Sequence, residues 1–206
     1  MMRLHRYRLH GRRTSHFTRV VLIVAHELDV SIDLVHVDDL FSLDPDHYGG
    51  HPALKVPCLH VGETMHVGAQ NIARVLRRSS AHGSRVLFAE AIDDDLVRNA
   101  EELVWTAMGL EVHVVLGRMA SRAEDDPLLR KSRVALTNVL AWLEPRLASI
   151  LERLPPRHTS LLEIALFCLI EHVSLRATVS IEDRPRLRAF ATTFGERASA
   201  RATDPR

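Results

Sequence analysis

The spacing of apolar residues changes character partway along the chain. Through residue 67 they come in short runs separated by turn residues, and beyond residue 85 they recur at three- and four-residue intervals. Residues 4–9 alternate weakly, Leu4, Arg6 and Arg8 against His5, Tyr7 and Leu9, which predicts a strand closed by Gly11. Phe17, Val20, Val21, Val24, Ala25 and Leu28 then follow helical spacing, with Thr14 or Ser15 placed to cap the helix. Residues 32–37 are β-branched and predict a second strand, so the opening unit is βαβ and parallel. After an irregular Pro/Gly-rich stretch over 44–52, strands are predicted over 56–61 and 63–67, joined through Gly62 as a hairpin. Gln70, Ile72, Ala73, Val75 and Leu76 carry a helix that runs out in the polar stretch 77–84, a natural linker.

Everything after that linker reads as helix. Leu96, Ala100, Leu103, Val104, Ala107 and Val114 share one apolar face, and Leu136, Leu140, Leu143, Leu147 and Leu151 share another after the Asp125-Asp126-Pro127 break. Pro155-Pro156 ends the second long helix. Ser160-Leu161-Leu162-Glu163 then has the spacing of a capping box, with the Glu163 side chain expected to reach back to the cap, ahead of an apolar run over 164–170 that predicts a buried central helix. A last helix is expected over 185–194, and residues 198–206 read as a polar tail that frays. The resulting division is an α/β domain over 1–78 and an all-helical domain over 86–206.

Composition narrows the possible partners. The 206 residues, 46% hydrophobic and 26% charged, suffice for a full core. With 27 basic against 26 acidic residues the formal net charge is +1, so no global field points to nucleic acid or an anionic membrane. The apolar run over 20–25 is far too short to span a bilayer and no signal-type segment precedes it, from which a cytoplasmic protein is expected. Cys58 and Cys168 are far apart and form no CxxC, which suits a reducing compartment, and no zinc-type spacing occurs, so no metal is expected. His47 and His51 are four apart but fall in the Pro/Gly-rich loop.

The most informative short element is Lys55-Val56-Pro57. A proline opening a strand has no ladder donor and belongs at the mouth or edge of a sheet. A cis Val56-Pro57 bond, expected here, turns the Val56 N–H and C=O outward to pair with an extended peptide.

The order βαβ, loop, Val-Pro strand, ββα, linker and helical half resembles the cytosolic glutathione transferases. His51-Pro52-Ala53-Leu54-Lys55-Val56-Pro57-Cys58-Leu59 looks like that family's Asn-Pro-x-x-Lys/Gln-Val-Pro-x-Leu. Ile72-Ala73-Arg74-Val75-Leu76 is similar to its Ile-x-x-Tyr-Leu, and Ser160-x-x-Glu163 to its capping box. The resemblance implies a thioredoxin-like N-terminal domain followed by a helical-bundle domain, glutathione as the bound thiol, a small electrophile as second substrate, and a homodimer. It places the thiol-activating hydroxyl at Thr14, with Ser15 beside it. Backbone pairing to glutathione falls to Val56 at Pro57, the glycyl carboxylate to Lys55 or His51, and the γ-glutamyl end to Gly68, Ala69 and Gln70.

Two departures bear on activity. Gly68-Ala69 stands where relatives carry an acidic residue and Ser, which leaves backbone N–H groups at a helix start to hold a carboxylate. Thr14 stands where a Ser is usual, and no cysteine lies near it. The expected function is therefore transfer of the glutathione thiolate to an electrophile. The alternative is a binding protein of the same fold that has lost catalysis, and an isomerase or dehalogenase would use the same residues.

Overall fold

The computed structural model describes residues 7–205, which divide into two compact units. The first runs to Val86 and also takes in the C-terminal segment from Ala198; the second is Leu87–Arg197. The boundaries read from sequence, 1–78 and 86–206, differ from this division chiefly at the C-terminus.

In the first unit, β1 (Tyr7–Gly11) pairs in parallel with β2 (Ile32–His36) and antiparallel with β3 (Cys58–Val61), which pairs with β4 (Thr64–Val67). The sheet order is β2-β1-β3-β4. The predicted start of the first strand, residues 4–6, lies outside the described residues; its end extends to Gly11, because Gly11 still pairs with His36. Helix α1 (His16–Glu27) connects β1 to β2, and α2 (Ala69–Ser79) follows β4. Leu9 and Leu59 are register partners and fully buried, as are Val20, Val21, Ile23 and Val24 of α1 and Ile72, Ala73 and Leu76 of α2. Each such large side chain contributes roughly 1.5–3 kcal/mol on burial. α2 outlasts its apolar stripe, since Arg77 and Arg78 in its last turn suit the negative end of the helix dipole.

The second unit contains α3 (Asp95–Met119), α4 (Pro127–Arg153), α5 (Leu161–Arg176) and α6 (Pro185–Gly195). Asp94 and Asp126 cap the first two, and Pro127 occupies the first position of α4. α5 is buried on almost every side from Leu161 to Val173, as its unbroken apolar run predicts. The Ser160 hydroxyl accepts the Glu163 amide at 3.1 Å. The Glu163 carboxylate accepts the Ser160 hydroxyl at 2.7 Å and both sides of the Arg157 fork at 2.7 and 3.0 Å, so its partners include a guanidinium that the capping-box pattern does not specify.

Within this unit Glu144 and Glu111 act across elements. Glu144 of α4 takes the amides of Arg186 and Leu187, capping α6 from a neighbouring helix. Glu111 of α3, fully buried, is held by His172 at 3.0 Å and by the Thr178 hydroxyl at 2.6 Å. Among the described residues α4 alone is long and apolar enough to pass for a membrane span, yet its Leu136, Leu140, Leu143 and Leu147 stripe is buried in this unit, as in a core helix.

The expected frayed tail is instead ordered. α7 (Ala198–Ala202) packs on α1, with Ser199 and Ala200 buried.

Candidate functional site

Strand register gathers the predicted residues at one end of the sheet. His10 pairs with Cys58, Cys58 with Val67, and Gly11 with His36. The residues just after β1, β2 and β4 and just before β3 therefore share that end, and α1 and α2 both begin there. Thr14, Ser15, Val56, Pro57, Gly68, Ala69 and Gln70 all fall on it, with Lys55 and His51 in the approach to β3.

At the β1–α1 turn the two hydroxyl residues divide. Ser15 is the cap: its backbone is extended and its hydroxyl accepts the Thr18 amide at 3.3 Å. Thr14 is half-buried in the turn, and its hydroxyl makes no hydrogen bond among the described residues. The turn is tied down on both sides. The Arg12 amide donates to the Thr18 hydroxyl at 3.4 Å, and the Arg12 guanidinium donates to the Asp38 carbonyl at 3.2 Å in the loop after β2.

The Val56-Pro57 bond is cis, as the motif implied, with Pro57 buried and Val56 half-exposed. Neither the N–H nor the C=O of Val56 enters a backbone hydrogen bond among the described residues, so both are open to an extended ligand. Two residues earlier Leu54 is left-handed, with φ of 53°, an uncommon conformation for a side chain branched at Cγ, and one that nothing in the sequence signals.

His51 is largely committed to its own loop. Its Nδ1 accepts the Ala53 amide at 3.1 Å, and burial, followed by the nearby Lys55 charge, lowers its pKa from 6.5. The ring is thus neutral near pH 7 with its proton on Nε2, a donor rather than a cation. Lys55 is exposed.

Gly68 caps α2 without a side-chain hydrogen bond, at φ of 81° and ψ of 127°, a conformation that only glycine adopts readily. The first amides of α2, including those of Ala69 and Gln70, have no partner within the helix and point from its positive end.

Behind the site, the residues before β3 are held by a group that sequence reasoning passed over. The His60 ring donates to the Gly49 carbonyl at 2.8 Å, and the Cys58 thiol donates to the same oxygen at 3.5 Å. The His10 ring lies so close to Gly49 that a Cβ there would sit 2.5 Å from it. Burial pushes the Cys58 thiol up to about 11, which removes it as a nucleophile. The Nε2 of His47, four residues before His51, accepts the Asp39 amide at 3.1 Å and lies 3.0 Å from the Asp38 carboxylate.

A βαβ-ββα unit with a cis-proline at the mouth of its third strand is thioredoxin-like, and an all-helical second unit after it gives the architecture of the cytosolic glutathione transferases. Residues 9–83 match the family model described as the glutathione S-transferase N-terminal domain. The glutathione S-transferase of Methylobacillus flagellatus KT, solved with glutathione bound, is 21% identical, with 97% of this chain and 100% of that one covered and a TM-score of 0.77. The Methylobacterium radiotolerans JCM 2831 enzyme, in complex with glutathione sulfonate, is 22% identical over 97% of this chain and 95% of that one, with a TM-score of 0.77. A Pseudomonas fluorescens Pf-5 glutathione transferase family member with bound S-(propanoic acid)-glutathione is 20% identical over 97% and 100%, with a TM-score of 0.75. No curated protein sequence matches the chain. Residues 9–83 thus match the glutathione S-transferase N-terminal domain model, and the chain as a whole has the fold of the glutathione transferase structures.

Proposed function

We propose that this glutathione S-transferase-like protein is an active transferase, which binds glutathione at the sheet end described above and adds its thiolate to a small electrophile. The observation that carries this reading is the division of labour in the β1–α1 turn: Ser15 takes the capping bond and leaves the Thr14 hydroxyl uncommitted. A hydroxyl donor to a thiolate lowers the thiol pKa and keeps the sulfur reactive. In this reading Val56 pairs through its backbone with the cysteinyl unit at Pro57, and Lys55 and the Nε2–H of His51 face the glycyl carboxylate. The amides at Gly68, Ala69 and Gln70 hold the γ-glutamyl carboxylate. The glutathione ligands of the Methylobacillus, Methylobacterium and Pseudomonas proteins support the choice of thiol.

Calorimetric titration with glutathione tests it: saturable binding that is lost when both carboxylates of the tripeptide are esterified supports the assignment, and no heat above dilution rejects it. We further propose a cytosolic homodimer, supported by the family pattern and by half-exposed Leu103, Trp105, Val112 and Val115 on α3. A mass near 23.2 kDa by light scattering at micromolar concentration rejects the dimer.

A further inference from the structure

We propose that the C-terminal segment 198–205 is a positioning strap for α1, anchored by Arg19, and that it holds the β1–α1 turn in register for whatever Thr14 does.

Arg19 and Glu27 are ionisable side chains in α1 that are nearly buried, 4% and 8% exposed. Both are engaged by the last residues of the chain. The Arg19 guanidinium donates to the Ala200 carbonyl at 3.2 Å and to the Thr203 hydroxyl at 3.5 Å. The Thr203 hydroxyl in turn donates to the Ser199 carbonyl at 2.9 Å. Carbonyls at the end of a helix lack amide partners, so a guanidinium placed there satisfies them and suits the local dipole. The Glu27 carboxylate accepts the Ser199 hydroxyl at 2.6 Å. The two anchors are eight residues apart, so the strap grips about 12 Å of α1.

The upper anchor connects to the turn. The Arg19 amide bonds to the Ser15 carbonyl at 2.9 Å, and Thr18, its neighbour, supplies both the amide that Ser15 caps and the hydroxyl that accepts the Arg12 amide. A shift of Arg19 is therefore a shift of the first turn of α1 and of the loop carrying Thr14.

The chemistry of the contact suits a strap better than a core element. Its partners are a guanidinium, a carboxylate, hydroxyls and carbonyls, with Ala200 as the buried apolar residue of the helix. The bonds between this segment and Arg19 and Glu27 are polar ones that water can replace when the segment lifts. A strap of this kind opens locally, below the global unfolding free energy. Its effect on catalysis, though not its existence, rests on the transferase reading.

The test compares wild type with Arg19→Met, Arg19→Lys, Ser199→Ala and a chain ending at Arg197. The first readout is amide hydrogen exchange without ligand. A charge-assisted hydrogen bond contributes about 1.5–3 kcal/mol, so exchange in the first two turns of α1 should speed up roughly 10- to 150-fold in Arg19→Met and in the shortened chain. Exchange in α3 and α5 should not change, and Arg19→Lys should restore part of the protection. The second readout is the apparent pKa of the bound thiol from thiolate absorbance, which should rise in Arg19→Met and recover in Arg19→Lys. Equal α1 protection in wild type and shortened chain overturns the strap, and so does a loss of protection spread evenly over both units. If the shortened chain does not fold, Ser199→Ala, which removes a single hydrogen bond, decides by the same exchange pattern. If wild type binds no glutathione the transferase reading fails, while the exchange comparison still settles the strap.

Discussion

Gly11 and Thr18 meet with no room for a methyl group between them: a Cβ on Gly11 would lie 2.6 Å from the Thr18 hydroxyl oxygen and 2.7 Å from its methyl carbon. Thr18 is fully buried, so it has nowhere to retreat. This contact sets how closely the first turn of α1 approaches the end of β1. Gly11→Ala is expected to destabilise the protein by about 1–3 kcal/mol, the usual range for overpacking. Thr18→Ala in the same chain should recover part of the loss, since it removes both clashing atoms. Urea unfolding of the two single variants and the double variant checks it, and simple additivity would dissolve the proposed contact.

Thr14 and Ser15 should separate cleanly. Ser15→Ala loses a helix cap and is expected to cost about 1 kcal/mol of stability. Thr14→Ala should leave the unfolding midpoint nearly unchanged, yet lower turnover toward a nitroaryl halide about tenfold or more with little effect on glutathione affinity, because a thiolate donor acts on reactivity. Parallel losses of turnover in both variants would make Thr14 a structural residue of the turn.

The start of α2 calls for a different pair of changes. Ala69→Ser adds a hydroxyl beside the first amides of the helix, and about tenfold tighter glutathione binding is expected, the lower end of what a hydrogen bond to a carboxylate contributes. Gly68→Glu adds a carboxylate for the ligand ammonium but forces a side chain onto φ of 81°. That conformation disfavours an L residue by roughly 1–2 kcal/mol, so affinity should rise while the unfolding midpoint falls. Calorimetry and urea unfolding on the same samples read the two effects separately.

Acid should act in two stages. His10 has a pKa lowered from 6.5 by burial, then by His60 and Arg8, and His51 is lowered by burial and then Lys55. The folded state binds these protons less readily than the unfolded chain does. The stability involved is complete above pH 6.5 and declines as pH falls from there through the folded-state values. His10→Phe should flatten the slope between pH 6.5 and 5. Asp94 and Asp126 are lowered from 3.8 chiefly by the helix amides they accept, those of Val97 and Leu129, so their share is lost only as pH falls below 3.8. Unfolding midpoints against pH, with and without His10→Phe, distinguish the stages.

Much of this fold was legible because it is written in local patterns. The β-branched run at Ile32, the Val56-Pro57 opening and the Ser160–Glu163 spacing each fix structure through nearby residues, and each appears where the sequence places it. The gathering of Thr14, Val56 and Gly68 at one sheet end follows from strand order, which the βαβ-ββα reading supplies. What the sequence concealed depends on distant partners. Ser199 and Thr203 carry no hydrophobic period, so a segment fixed by Arg19 and Glu27 reads as a loose tail. The commitment of His51 to the Ala53 amide and the left-handed Leu54 likewise arise from the path of the chain, with no residue type to announce them.

The return of residues from Ala198 onward to the first unit bears on the order in which this protein is made. The ribosome releases β1, α1 and the rest of the sheet long before it reaches Ser199. Until Ser199, Ala200 and Thr203 emerge, Arg19 and Glu27 lack those partners, and the whole of Leu87–Arg197 is synthesised in the interval. The unit whose strands are synthesised first therefore receives these partners of Arg19 and Glu27 only after the whole of the second unit has been made.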